Sequence, residues 1–192
     1  MERISDAFKL AITAHDGQKR KLDGLPYVLH VCEVAQLVGD MTKDEDTLIA
    51  AILHDTVEDT GIVIEDVDWL FGPNVAAMVA GMTEDKMRDR PADETWKVRK
   101  EHTLNELRQN GDLNVKMILL ADKYSNLSSM RRYKLKHGED IWGSFNERDP
   151  RNHWWYYNEI GKIVGEDLSK ESIYKDYLIL LDEVFGEYSK KY

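Results

Sequence analysis

The apolar run Leu48-Ile49-Ala50-Ala51-Ile52-Leu53 passes without a break into His54-Asp55-Thr56-Val57-Glu58-Asp59, and few patterns restrict a fold more. A run with no polar alternation reads as a buried helix, and its continuation carries an imidazole and three carboxylates out of the core. At about 100° per residue, His54, Asp55, Glu58 and Asp59 fall at about 0°, 100°, 40° and 140°, less than half of a helix circumference. Thr60-Gly61 follows as a helix stop, with Gly61 expected in the left-handed position after the last turn. Carboxylates at a helix C-terminus face the negative end of the macrodipole at a cost of about 0.3–1 kcal/mol each. Three acids in that turn therefore call for a cation. A solvated acidic helix end has the same composition, but an adjacent His-Asp is the nitrogen and oxygen pair that suits zinc, manganese or iron(II), and it requires further ligands elsewhere.

The chain is 192 residues long, a length that fits one domain over residues 1–192 with a helical extension from about residue 140. A formal net charge of −10 argues against a nucleic-acid polymer as ligand, because phosphate backbones are bound by basic surface. A small phosphorylated ligand remains compatible, held by a metal and a few local cations. Cys32 is the sole cysteine, which excludes an intrachain disulfide and a multi-thiolate zinc site and fits a reducing compartment. The N-terminal segment lacks a signal-peptide core, and no apolar run approaches the roughly 20 residues of a membrane span. A soluble, cytoplasmic protein is expected, with no membrane partner.

Helical spacing dominates the order of the chain. Ile4, Ala7, Phe8, Ala11 and Ile12 predict a helix over about 3–15, ended by Gly17. Pro26-Tyr27 restarts the chain, and Val28, Val31, Val34, Ala35 and Val38 form a second stripe broken by His30; a lone histidine there is more often a satisfied core residue than a ligand. Thr42-Lys43-Asp44-Glu45 matches a capping box, so the helix bearing His54 is expected to start there and run four to five turns. Further helices are expected over 64–71, from Pro73, over about 94–110, from an Asp112 N-cap, and from Ser169. The charged segment from Glu84 to Asp93 is the candidate mobile loop. Lys97, Arg99 and Lys100 face either a phosphate or solvent. Asp122 interrupts a core stripe, and a buried carboxylate costs several kcal/mol unless compensated, by Lys123, by internal donors or by a metal. Trp154-Trp155-Tyr156-Tyr157 suits a purine-stacking wall or core packing. No stretch alternates as a strand does, so the fold class is all-α.

With His30, His54-Asp55 and Asp122 on three successive apolar helices, the chain resembles the HD-domain metal-dependent phosphohydrolases, a helical-bundle fold. Within them it is similar to the hydrolase domain of the RelA/SpoT homologues and the small stand-alone alarmone hydrolases. The matching strings are His15-x-Gly17-Gln18-x-Arg20-Lys21, Pro26-Tyr27-x-x-His30, His54-Asp55-Thr56-Val57-Glu58-Asp59-Thr60, Thr83-Glu84-Asp85-Lys86 and Leu120-Ala121-Asp122-Lys123-x-x-Asn126-Leu127. A departure is Val31, where that family usually has proline. The resemblance implies one manganese ion on His30, His54, Asp55 and Asp122. It also implies that Glu58 and Asp59 orient water and transfer protons, and that Arg20, Lys21, Asn126, Arg151 and Tyr156 contact the nucleotide. The implied substrate is guanosine 3′,5′-bispyrophosphate or its pentaphosphate relative, cleaved to GDP or GTP and pyrophosphate. An HD-type phosphatase of nucleotides or NADPH, or a non-catalytic nucleotide sensor, are the competing expectations.

Overall fold

The computed structural model describes residues 2–87, 89–138 and 141–189, without the side chain of Asn110. Among these residues ten α-helices carry the fold: α1 (Glu2–Ala14), α2 (Val28–Met41), α3 (Glu45–Leu53), α4 (Thr56–Asp59), α5 (Ile64–Phe71), α6 (Pro73–Met82), α7 (Ala92–Asn110), α8 (Leu113–His137), α9 (Pro150–Leu168) and α10 (Ser172–Ser189). The all-α expectation holds, and the extended pairing among the described residues is a single bridge between Lys19 and Pro26.

The short helix α3 is the centre. Ile49, Ala50, Ala51, Ile52 and Leu53 are buried on all sides, as a continuous apolar run requires. It packs on α1, α2, α6 and α8. The long α8 runs across this cluster and on to α9 and α10, so one helix joins the centre to the C-terminal pair. Tyr177 and Phe185 of α10 are fully buried, and the Tyr177 hydroxyl donates to the Tyr157 carbonyl at 2.6 Å. The long, polar α7 rests chiefly on α9.

Four local expectations are corrected. The helix bearing His54 starts at Asp44, not Thr42, because the Asp44 carboxylate accepts from both the amide and the hydroxyl of Thr47, while Thr42 ends α2. It is also shorter than four turns: α3 stops at Leu53, and Asp55 (φ −101°, ψ −2°) opens the separate turn α4. Gly61 does not take the left-handed conformation; the positive-φ glycines are Gly17, Gly24, Gly72 and Gly138, and the chain leaves α4 through extended Thr60. Ser169 lies at the end of α9, and the last helix starts three residues later.

Candidate functional site

Three segments deliver the predicted ligands to one place: α2 carries His30, the α3–α4 break carries His54 and Asp55, and α8 carries Asp122. One donor atom each of His30, His54 and Asp122 lies within 4.8 Å of the others. Asp55 Oδ2 is 3.0 Å from His54 Nε2 and 3.7 Å from His30 Nε2, and Asp122 Oδ1 is 3.2 Å from His30 Nε2. The break explains the convergence. On one straight helix Asp55 would point about 100° away from His54, whereas the turn at Asp55 swings its carboxylate back over the imidazole.

The ring nitrogens not facing this cluster are already engaged. His54 Nδ1 donates to the Ala51 carbonyl at 2.8 Å, and His30 Nδ1 lies 2.9 Å from Ser125 Oγ. His54 is fully buried, yet its Nε2 makes no aligned hydrogen bond, although Asp55 is close. A buried nitrogen without a hydrogen-bond partner, beside a second imidazole and two carboxylates, is a donor set that fits a divalent ion. Burial opposes charge on His54, but the Asp55 and Asp122 carboxylates outweigh it and raise the imidazole to about 9. On Asp55 and Asp122 burial acts in the opposite direction, upward. His54 overcomes it at Asp55, and Lys123 followed by His30 overcomes it at Asp122, leaving both well below the usual carboxylate range. His30 is shifted down, because burial there exceeds the pull of Asp122. Tyr27 donates its hydroxyl to Asp55 Oδ2 and stacks on His15.

One turn beyond the cluster, α4 presents Glu58 and Asp59. Glu58 Oε2 accepts the Glu84 amide at 3.1 Å, and Lys86 forms an ion pair with Asp59 and lies 3.6 Å from Glu58 Oε1. Burial, then the Asp55 charge, raises the Glu58 carboxyl above its ordinary value. Both acids line a cavity of about 190 Å³ together with Asp55, Asp122 and Tyr156. They also line its neighbour of about 500 Å³, walled by Arg20, Lys21 and Lys86. Tyr27 and Asn126 border both spaces. A larger groove of about 780 Å³ between α6 and α7 contains none of the four clustered residues.

This constellation agrees with the sequence comparison. Residues 7–150 match the HD domain family. The chain belongs to that family. Curated relatives include the bifunctional (p)ppGpp synthase/hydrolase SpoT of Escherichia coli K12, 35% identical over 131 residues, and the guanosine-3′,5′-bis(diphosphate) 3′-pyrophosphohydrolase of Vibrio cholerae serotype O1, 36% identical over 133 residues. Each alignment covers 68% of this HD-domain chain but only 18% of the relative. Solved structures similar to the chain include two of note. One, described as a metazoan ortholog of SpoT that hydrolyzes ppGpp, has a TM-score of 0.72 at 28% identity and covers 97% of this chain and 96% of its own. The other, lmo0812 of Listeria monocytogenes EGD-e, has a TM-score of 0.68 at 29% identity, over 82% and 94%.

Within this HD-domain fold the expected nucleotide contacts divide. Arg20 donates to Asn126 Oδ1 at 3.0 Å and Ser129 Oγ at 3.1 Å, and Asn126 in turn donates to Asp122 Oδ1 at 2.6 Å, so Arg20 and Asn126 adjoin the cluster. Lys21 is exposed at the cavity mouth. Tyr156 is 3% exposed, between core and cavity, with Lys100 4.9 Å from its ring centroid. Arg151 is not brought in. Its guanidinium folds onto Asp149 at the exposed start of α9, and it lines neither cavity. Sequence spacing gave no role to Gln18, Tyr27, Glu84 or Lys86, although all four stand in the motif strings. Gln18 donates to the Asp59 carbonyl at 2.9 Å. The Glu84 carboxylate gathers Arg99, Lys100 and Thr103 of α7, which turns Arg99 and Lys100 toward protein, while Lys97 lies over the Trp155 ring. Their signal was a charged or polar side chain within a loop next to an acid turn, visible only once the loop folds back.

Proposed function

We propose that this protein is a metal-dependent (p)ppGpp 3′-pyrophosphohydrolase, converting guanosine 3′,5′-bis(diphosphate) or its pentaphosphate relative and water into GDP or GTP and pyrophosphate. The observation that carries the reading is the convergence of the His30, His54, Asp55 and Asp122 cluster with Glu58 and Asp59 on cavities whose outer wall is Arg20, Lys21 and Lys86. The names of the relatives, and the likeness over nearly the whole chain to a SpoT ortholog that hydrolyzes ppGpp, support it. His30, His54, Asp55 and Asp122 would hold one manganese ion. Bound there, the ion supplies Lewis-acid chemistry, polarising a phosphoryl oxygen and acidifying water.

The chain's own side chains do the rest. Arg20 and Lys21 receive the anionic nucleotide, with Asn126 and Tyr156 beside the reacting end. In the hydrolysis, water adds to the phosphorus attached to O3′, the O3′–P bond breaks, and one proton must be removed from water while one is delivered to O3′. Glu58, half-buried and with its carboxyl raised above the ordinary value, is suited to take and return a proton. Asp59, held by Lys86 and Gln18, orients the water. Residues 1–192 form one functional unit on this reading, with α9 and α10 as its extension, acting in the cytoplasm on the stringent-response alarmone. Among the described residues no helix is long and apolar enough to cross a membrane.

The test is product analysis with manganese and a panel of ppGpp, pppGpp, nucleoside triphosphates and NADPH. Pyrophosphate release from the alarmones, with Asp59→Asn losing turnover but keeping the metal, is expected. Orthophosphate alone, released from simple nucleotides or NADPH, would replace this substrate with that of an HD-type phosphatase.

A further inference from the structure

His30 and Asp122 each have a polar residue one helical turn onward, and the two turns interlock. Glu33 follows His30 by three residues on α2, and Ser125 follows Asp122 by three residues on α8. Residues at this spacing share a helix face. Ser125 is fully buried, and its hydroxyl donates to Glu33 Oε2 at 2.6 Å. A serine hydroxyl has one proton. Since that proton is given to a carboxylate, Ser125 Oγ faces His30 Nδ1, 2.9 Å away, as an acceptor, and the imidazole must be the donor. The chain of hydrogen bonds thus runs from His30 Nδ1–H to Ser125 Oγ–H to Glu33, passing from α2 to α8 and back.

We propose that Ser125 and Glu33 are positioning residues for His30, fixing its ring in the tautomer that leaves the Nε2 lone pair pointed at the metal cluster and strengthening it as a ligand. The proposal rests on the metal-site reading above. A histidine whose remote N–H is held by an acceptor is both oriented and made a stronger donor. His54 obtains the same result from a backbone carbonyl, that of Ala51, which no substitution at position 51 removes. His30 depends on side chains. Of the two imidazoles it is therefore the one whose ligand strength the sequence can adjust, and Glu33, half-buried at the end of the chain of bonds, is where the adjustment is made.

The test uses the full chain and two readouts. In metal-free protein, long-range ¹H–¹⁵N correlation spectra report the His30 tautomer directly. Wild type is expected to carry the proton on Nδ1, and Ser125→Ala to lose that preference. In manganese titrations, Ser125→Ala is expected to bind about 10–100-fold more weakly, and Glu33→Gln more weakly by a smaller factor. Because Glu33 acts through Ser125, the double variant should bind no worse than Ser125→Ala alone. Glu33 is partly exposed, so Glu33→Gln keeps the experiment interpretable if the Ser125 variant folds poorly. An unchanged tautomer in Ser125→Ala, or additive losses in the double variant, would overturn the proposal. A wild type with the expected tautomer but no manganese binding would instead overturn the metal reading on which it rests.

Discussion

Gln18 Nε2 donates across 2.9 Å to the backbone carbonyl of Asp59, while Gln18 Oε1 accepts from His15 Nδ1 at 2.9 Å. A buried ring, stacked on Tyr27, thereby fixes the orientation of one amide, and that amide fixes the end of the acid turn. Gln18→Glu cannot donate to a carbonyl and Gln18→Ala has nothing to reach it. Both are expected to lower kcat about 10–100-fold, the scale of a small misplacement of a reacting group. Manganese affinity should be retained. Steady-state kinetics with a parallel metal titration checks this, and a matching loss of metal would show that Gln18 supports the cluster instead.

Lys86 is paired with Asp59 and near Glu58, and its charge pulls the Glu58 carboxyl down against burial and Asp55. Removing it in Lys86→Met leaves the upward influences unopposed on that side. The limb of the kcat/KM against pH profile that belongs to Glu58 should then move to higher pH. A profile displaced only in height, with both limbs in place, would assign Lys86 to substrate binding alone.

On the proposed reading, the two imidazoles and two carboxylates gathered in the core would be stabilised by an ion that the unfolded chain cannot hold in the same way. At a free manganese concentration about 100 times Kd, binding adds about 2.7 kcal/mol to the folded state, which for a chain of this size raises Tm by roughly 5–10 °C. Differential scanning calorimetry with manganese and with chelator should show that shift in wild type, and none in His54→Ala.

His153 sits among Trp96, Trp142 and Phe145, and donates Nε2–H to the Glu147 carbonyl at 2.9 Å. Burial lowers its pKa, against the Glu147 carbonyl and the charges of Glu147 and Asp149 and with that of Lys100. The unfolded chain has the ordinary value near 6.5, so between the two pKa values the unfolded state binds more protons, and stability falls as pH falls through that window. His153→Gln keeps an N–H donor without titrating. The stability of wild type relative to this variant, from urea unfolding at about pH 7.5 and about pH 5, should therefore decline on the acid side.

The clustered residues were legible because each breaks an apolar stripe where a polar group is costly: His30 on α2, Asp122 on α8, and His54-Asp55 at the end of the most apolar run. The bundle was legible for the complementary reason, since helical spacing persists through nearly every segment. The break between Leu53 and Thr56 was hidden, because the 3.6-residue period runs on through it without a Gly or Pro to mark it. The start of α3 turned on which of two nearby oxygens caps it: the Thr42 hydroxyl accepts the Asp44 amide, whereas the Asp44 carboxylate accepts the Thr47 amide, and both residue types are good caps. Arg151 stands apart from the cavities because an aspartate two residues earlier, at the helix N-cap, holds its guanidinium, a local pairing that spacing alone does not single out. Gln18, Glu84 and Lys86 have partners 41, 26 and 27 residues away, beyond the reach of local periodicity.

Glu84 holds Glu58 with its amide and α7 with its carboxylate, and Lys86 is committed to Asp59. The connection between α6 and α7 is therefore two lengths of chain with different freedoms. From Thr83 to Lys86 the residue count is locked, since one added residue would withdraw an amide or an ammonium from the acids. Farther on, the described residues Asp89, Arg90 and Pro91 make no bond to the acids, and it is there that insertions, deletions or an engineered loop can be absorbed.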